Sequence, residues 1–565
     1  MSPADPQNMG KTPTTRSTAR SSALFTAGTV VSRVSGVLRE SVVGAVFGAG
    51  TAMDAFVVAY RIPNLLRELI AEGALGSSFT QVYTATAERD EAVARQVLKD
   101  TLKIVRWLGL GIVVAGIACA PWLVALMSRR GSAPDSELFN SIAIRQTQIL
   151  FPTIAIFAMT SIITGALHKK GHFFLSAVSP AAFNLANISG ALLLTPLLAA
   201  TASPQTAAWL GDAGITGLSV GVLIGAGLQM WFASLGLRTD RSSAMMPTAN
   251  ASQNKRMIPW TPEIRRIAFL MVPMVIAASA GQVNVIVNTN FATSLEPGAV
   301  TWLNFAFRFL QLPIGMFGVA ISAAVLPALT RAIARAGHKV DAAASMEITN
   351  ALELVTWLLL PSFAFLFVAA PEVISLFYEA GRFTSRDTAA TSIALQAYSF
   401  GLVSYGLLKV LNSYYYATER TRYAMWVGIA SIGVNYFAND LLVGKFGHRG
   451  LALTTSATLT GNAILLIAGM TRDKVIVEWR ETFRSIGILI FATVCAVLIQ
   501  QQLHLDVTHL FGKKLAALFS ILVHAAIVGI IFAPLAMVRM RTGPQQFLSQ
   551  VRQFRSRKNM RRGSD

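Results

Sequence analysis

The chain has 565 residues, of which 53% are hydrophobic and only 13% are charged, against about 25% charged in an average soluble domain. Its 48 Lys and Arg outnumber 28 Asp and Glu, giving a formal net charge of +20. This composition excludes an ordinary soluble domain: apolar runs of about 20 residues recur, each able to cross a ~30 Å hydrocarbon core as a helix. The ~10-residue alternation of a membrane β-barrel is absent. The basic surplus lies in loops and tails between apolar runs, which is the distribution of topology determinants and not of a nucleic-acid face.

In chain order, residues 1–20 form a polar tail expected to be disordered. Lys11, Arg16 and Arg20 precede an apolar run as in a signal peptide, but no small-residue cleavage site follows, which predicts an uncleaved first span. Gly10-Lys11-Thr12 resembles the end of a phosphate loop, yet Asp5 stands where that loop needs glycine. The pattern predicts about fourteen helices, near 21–48, 51–85, 102–127, 142–167, 173–199, 213–236, 266–294, 299–330, 349–371, 388–418, 422–443, 450–471, 485–503 and 514–538. Pro63, Pro152, Pro180, Pro273, Pro313 and Pro361 interrupt several of them.

The first two spans are unusual. Between residues 32 and 79 they carry Arg33, Arg39, Glu40, Asp54, Arg61, Arg67, Glu68 and Glu72. An ionisable side chain at membrane depth costs at least ~2.5–3.5 kcal/mol on insertion scales, so eight of them are expected to line a wet cavity. In the second span Asp54, Arg61, Asn64, Glu68 and Glu72 are seven, three, four and four apart, steps that keep them on one face of an α-helix. The plainer reading is that Arg and Glu neutralise one another between packed helices.

The longest polar stretch between spans, 238–262, reads as a linker after six helices. It divides a six-helix lobe at 21–237 from a second at 263–471, with two last helices at 472–538 and a basic tail at 539–565. A short echo supports the division: Ala59-Tyr60-Arg61-Ile62 in the second span resembles Ala306-Phe307-Arg308-Phe309 in the eighth. Parallel six-helix repeats are a known transporter plan, with the substrate between halves. With both termini cytoplasmic, that side holds about 31 Lys and Arg and the other about 8, as the positive-inside rule requires.

Arg308 is isolated: no Asp, Glu, Lys or further Arg occurs from Thr301 to Thr330. It lies nine residues into its span, roughly 13 Å at 1.5 Å per residue, too deep for simple snorkelling. Arginines from both halves would make a positive chamber, and guanidinium groups bind phosphate in bidentate fashion. The substrate so implied is a phosphate or pyrophosphate anion. The two cysteines and seven histidines have no disulfide or metal-site spacing.

The stretches SRVSGVLRE (32–40), FGAGTAMDAF (47–56), RIPNLLRELIAEGALGSSF (61–79) and EAGRFT (379–384) resemble the MurJ (MviN) family of lipid II flippases, within the multidrug/oligosaccharidyl-lipid/polysaccharide exporter superfamily. The resemblance runs from about Ser22 to the last spans. It implies an all-α polytopic protein of the bacterial cytoplasmic membrane that moves lipid II, an undecaprenyl-pyrophosphate glycopeptide, from inner to outer leaflet. It also implies no cofactor, with monovalent-ion coupling left open, and membrane lipids and peptidoglycan-synthesis or cell-division proteins as partners.

Arg33, Arg39, Arg61, Asn64, Arg67 and Arg308 match substrate-binding positions of the family's cavity, with Glu40, Asp54, Glu68, Glu72 and Gln311 as cavity or gating positions. Arg61 stands where relatives often have Lys, and Glu40 where some have Asp. Phe307 and Gln311 replace acids that relatives carry around Arg308, which puts an acidic gating role there in doubt. The last two helices correspond to a groove for the lipid tail.

Two other transporters fit the same physics: a flippase for O-antigen or capsule precursors, and a multidrug exporter, against which the arginines argue. A membrane enzyme acting on polyprenyl phosphate would want clustered Asp or His for metal-pyrophosphate chemistry, and the acids here are scattered.

Overall fold

A computed structural model describes residues 15–131, 134–169, 173–201, 203, 212–238, 260–335, 340–472, 479–502 and 508–539. The expected tail before residue 15, nearly all of the linker 238–262 and the basic tail from 540 lie outside the described residues. All regular structure among the described residues is helical. Eight helices are long and apolar enough to cross a membrane, or up to ten if each of two bent pairs is one span. The first two predicted spans are not among them, because their charged residues offset their apolar ones.

Two compact units divide the chain, residues 1–282 and 283–565. Unit 1 opens with α1 (Thr15–Phe47) and α2 (Thr51–Leu66), which runs into a π-helical stretch at Arg67–Leu75 and then α3 (Gly76–Arg89). Next come α4 (Glu91–Met127), α5 (Ser136–Leu150), α6 (Thr153–Lys169), α7 (Phe173–Ser189), a π stretch at Gly190–Leu194, α8 (Thr195–Thr201) and α9 (Ala213–Arg238). α1 packs on α7, α2 on α5, and α7 on α9. At the last crossing the backbones nearly touch, since a Cβ on Gly221 would lie 2.8 Å from Gly190 Cα. Small residues permit such approach between membrane helices.

The boundaries have local causes. Predicted to begin at 102, α4 starts eleven residues earlier, because the Asp90 carboxylate accepts from Ala92 N at 2.7 Å and Val93 N at 3.1 Å. This N-cap satisfies otherwise orphaned amides. Pro152 lies in the turn between α5 and α6 and interrupts the helix as expected, while the two together make one membrane-long span, Ser136–Lys169. Pro63, Pro180 and Pro313 each lie inside a helix and each precedes a π stretch. A proline removes one i→i−4 hydrogen bond, and at Pro313 the π stretch begins at the next residue. The polar face predicted along 54–72 therefore changes phase at Arg67.

The division between units falls inside α10 (Pro262–Thr293). Its first arm belongs to unit 1, where Ile267 joins a buried cluster with Leu75, Phe79, Tyr83, Val97 and Ile162. In unit 2 follow α11 (Ala299–Pro313), a π stretch at Ile314–Gly318, α12 (Val319–Arg335), α13 (Ala342–Val368), α14 (Ala370–Tyr378), α15 (Ser385–Ser399) and α16 (Leu402–Ala417). The chain then forms α17 (Thr421–Arg472), broken at Gly447 with φ 54°, α18 (Trp479–Gln502) and α19 (Thr508–Arg539). Trp357 and Ala364 of α13 form a buried apolar cluster with Ala492 and Ala496 of α18 and Val528 and Phe532 of α19.

Where α10 enters unit 2 it meets both arms of α17 through uncharged polar groups. Asn439 Nδ2 donates to Asn288 Oδ1 at 2.9 Å and to Asn435 Oδ1 at 2.6 Å. The Thr454 hydroxyl donates to Asn439 Oδ1, and Asn288 Nδ2 donates to Thr455 Oγ1 at 3.2 Å. Asn435 and Asn439 are buried, so their amides depend on these bonds.

Candidate functional site

In unit 1 the α1 arginines differ in setting. Arg39 is half-buried and ion-paired with Glu40 beside it. Its guanidinium also donates to Asn184 Oδ1 on α7 at 3.0 Å and lies 5.7 Å from the Phe183 ring centroid. Asn184 is buried, and its amide nitrogen donates to the Ser32 carbonyl at 3.1 Å and the Ser35 hydroxyl at 2.9 Å. α7 thus fixes Arg39 through an amide that also reads the α1 backbone one to two turns earlier. Arg33 is exposed. Arg39 and Glu40 neutralise one another along α1 itself, not between packed helices.

On α2, Asp54 is buried in the first helical turn, where the helix N-terminus favours a carboxylate. Arg61 and Asn64 are half-buried. Asn64 Nδ2 donates to Glu68 Oε1 at 2.7 Å, and Gln282 Nε2 donates to Glu68 Oε2 at 3.3 Å. Arg67, at the start of the π stretch, places its guanidinium 4.5 Å from the Phe157 ring centroid on α6. The side chain of Glu72 lies outside the described residues. Arg39 with Glu40, and Asn64 with Glu68, are thereby brought together directly.

In unit 2, Arg308 is half-buried on α11 and Gln311 is exposed. Phe307 joins an aromatic group: its ring lies 5.4 Å from Tyr398 and 6.4 Å from Tyr405, the latter nearly parallel. One turn beyond Tyr405 on α16 stands Lys409, half-buried, its Nζ 5.2 Å from the Tyr405 ring centroid. Sequence reasoning missed Lys409, though it is the sole ionisable residue but for tyrosines between Gln396 and Thr418. Its isolation in an apolar stretch is the same signal that marks Arg308. A cation–π contact returns roughly 0.5–2 kcal/mol, less than the ~2.5–3.5 kcal/mol or more that an ammonium costs at membrane depth.

Both units carry an ordered polar knot between spans. In unit 1, Arg130 grips Asp135 in bidentate fashion, Nε to Oδ1 at 3.0 Å, and Thr51 donates to Asp135 Oδ2 at 2.6 Å. Burial alone would raise the Asp135 carboxyl, but the Thr51 hydroxyl and the Arg130 charge outweigh it and hold it below the usual range. In unit 2, the EAGRFT turn places Glu379 in an ion pair with Lys513 of α19. Thr384 and Asp387 form a capping box at the start of α15, and Asp387 also accepts from Trp302 Nε1 at 3.0 Å. Among the described residues no three His, Cys, Asp or Glu converge to hold a metal.

The family described as lipid II flippase MurJ matches residues 43–518. The chain is 31% identical over 447 residues to the lipid II flippase MurJ of Burkholderia cenocepacia, covering 79% of this chain and 82% of that protein. It is 30% identical over 469 residues to a probable lipid II flippase MurJ of Rhizobium tropici, covering 82% and 83%. Its fold resembles a solved lipid II flippase MurJ in an inward closed conformation, with TM-score 0.70 at 22% identity over 91% of this chain and 99% of that one. A more distant likeness, TM-score 0.56 at 17% identity over 80% and 93%, is to an inward-facing multidrug resistance MATE family transporter. Matched over most of its length by that family and by relatives at 30% identity or more, this multi-pass helical chain belongs to the MurJ family of lipid II flippases.

Proposed function

We propose that the protein carries lipid II from the inner to the outer leaflet of the bacterial cytoplasmic membrane by alternating access of its two units. Membership of the flippase family supports this reading. So does the set of membrane-depth guanidinium groups, of which Arg39, held by Asn184 on a rigid helix, is the most fully positioned. The pyrophosphate is bound by Arg39, Arg67 and Arg308, with Arg33, Arg61 and Asn64 lining its path. Glu40, Asp54, Glu68 and Glu72 tune the charge of that path, and Gln311 lies at its margin. Guanidinium forks suit this role because they match two phosphate oxygens at once.

In this reading fourteen spans place both termini in the cytoplasm. The polyprenyl tail stays in lipid along the last two helices, where α18 and α19 pack on α13. No nucleotide site is needed. Moving one charge through 100 mV is worth ~2.3 kcal/mol, and an anion leaving an inside-negative cell moves downhill. A diphosphate with two net charges gains roughly twice that.

A leaflet-resolved lipid II assay in cells depleted of their own flippase, with and without a collapsed membrane potential, tests the reading. The parent protein restores outer-leaflet lipid II and growth, and Arg39→Ala or Arg308→Ala does not, although both stay in the membrane. Normal growth with both substitutions combined overturns the site assignment. Restoration of an O-antigen or capsule precursor instead of lipid II overturns the substrate.

A further inference from the structure

We propose that Lys409 is a second membrane-depth cation of unit 2 for a diphosphate-bearing lipid, held near the level of Arg308 by the Phe307–Tyr405 aromatic pair. The inference rests on the diphosphate-lipid reading above and adds a residue to it.

Three observations carry it. First, the depth of Lys409 is fixed. The Phe307 and Tyr405 rings meet at 6.4 Å, so α16 passes α11 at the level of Arg308, and Lys409 lies four residues further along, about 6 Å at 1.5 Å per residue. The end of α16 at Ala417 is eight residues away, about 12 Å, beyond the reach of a snorkelling lysine.

Second, its backbone is locked. The Ser322 hydroxyl of α12 donates to the Lys409 carbonyl at 3.0 Å, the Ser413 hydroxyl donates to it at 3.2 Å, and the two hydroxyls lie 2.8 Å apart. Close beside them, α16 packs so closely on α13 that a Cβ on Gly406 would clash with Leu359 Cδ1 and lie 2.9 Å from Val355 Cγ1. Lys409 is presented from a rigid junction.

Third, among the described residues its charge has no acidic counter-ion. Neither α16 nor the stretch 301–330 contains an acid. Glu347 and Glu353 on α13 and Asp440 on α17, the elements packed beside α16, make no ion pair with it. Among the described residues the compensation for its ammonium is the face of Tyr405. A ring face attracts a cation without occupying all three N–H donors, so Lys409 keeps donors for an anion. A compact ammonium binds phosphate as a point charge, complementary to the fork of Arg308.

The test uses the full chain in lipid nanodiscs, with undecaprenyl pyrophosphate and undecaprenol as probes. Lys409→Met removes the charge and keeps the side-chain length, and burying no ion it folds at least as well as the parent. Lys409→Gln is the second variant and Lys409→Arg the rescue. Lys409→Met and Lys409→Gln are expected to weaken undecaprenyl pyrophosphate about tenfold or more, as loss of a charge-assisted contact does, while undecaprenol binding stays the same and Lys409→Arg recovers most of the loss. Parent-like diphosphate binding by Lys409→Met, with Arg308→Ala defective, overturns the role of Lys409 and leaves the parent reading standing. Equal loss for both probes overturns it in favour of a packing role. If Arg308→Ala and Lys409→Met both bind like the parent, the diphosphate reading itself falls.

Discussion

The Asn184 carboxamide accepts from the Arg39 guanidinium at 3.0 Å while its nitrogen donates to the Ser32 carbonyl at 3.1 Å. One buried amide on α7 therefore sets both where α1 lies and where its arginine points. Asn184→Leu is expected to reduce lipid II transport about tenfold and stability by about 1–3 kcal/mol, the cost of leaving buried partners unsatisfied. Asn184→Asp isolates the contact with the α1 backbone. It keeps an acceptor for Arg39 but loses the donor to Ser32 and Ser35 and turns a carboxylate toward the Ser32 carbonyl, so thermal stability falls while the contact with Arg39 is kept. A leaflet-resolved assay beside a melting curve distinguishes them.

Asp387 serves two elements at once, closing the capping box of α15 and accepting from the buried Trp302 indole. Loss of a cap costs about 0.5–2 kcal/mol, and an orphaned buried donor adds about 1–3 kcal/mol. Asp387→Ala should lower the melting temperature of the purified protein clearly, and Asp387→Asn, which still offers an acceptor, by less. Equal shifts for the two would remove the indole contact from the explanation.

The Asp135 carboxyl is held below its ordinary range by Thr51 and Arg130 against the opposing effect of burial. A depressed carboxyl adds stability that is complete above the unfolded-state value and vanishes as pH falls through the folded one. Between pH 7 and pH 5 the knot should therefore contribute a constant amount, then weaken below about pH 4. Asp135→Asn should be less stable at pH 7 and show a shallower decline on acidification. Melting curves from pH 7 to pH 3 measure both slopes.

At the crossing of α7 and α9, a Cβ on Gly221 would meet Gly190 Cα at 2.8 Å. Backbone cannot retreat as a side-chain tip can. Gly221→Val is expected to cost about 1–3 kcal/mol or more by overpacking, and to reduce the amount of folded protein recovered from membranes. Gly227→Ala on the same helix, where a Cβ meets open space, should have no such effect. Quantitative fluorescence of a fused reporter compares them.

Much of this was legible beforehand, because long apolar runs leave a chain few alternatives and charged residues within them stand out. Arg39, Arg61, Arg67 and Arg308 stand out that way in the sequence, and the four-residue spacing of Asn64 and Glu68 becomes a hydrogen bond in the structure. The π stretches do not stand out, since a proline marks where a helix is disturbed but not which wider turn follows. That is why the face through Glu72 was drawn as continuous. Asn184 was passed over because a lone amide carries no charge to advertise it, although an amide in an apolar span needs a partner as surely as an arginine does. Lys409 carries the same signal as Arg308, a lone charge in an apolar stretch. The division inside α10 depends on which neighbours each arm meets, and neighbours distant in sequence leave no local trace.

Asn288, Asn435, Asn439 and Thr454 tie α10 to α17 with groups that neither gain nor lose a proton at any pH a cell survives. A transmembrane voltage exerts force only on net charge, and finds none on these four side chains. Their hydrogen bonds keep the same strength in a resting cell, an acidified one or one whose ion gradients have run down.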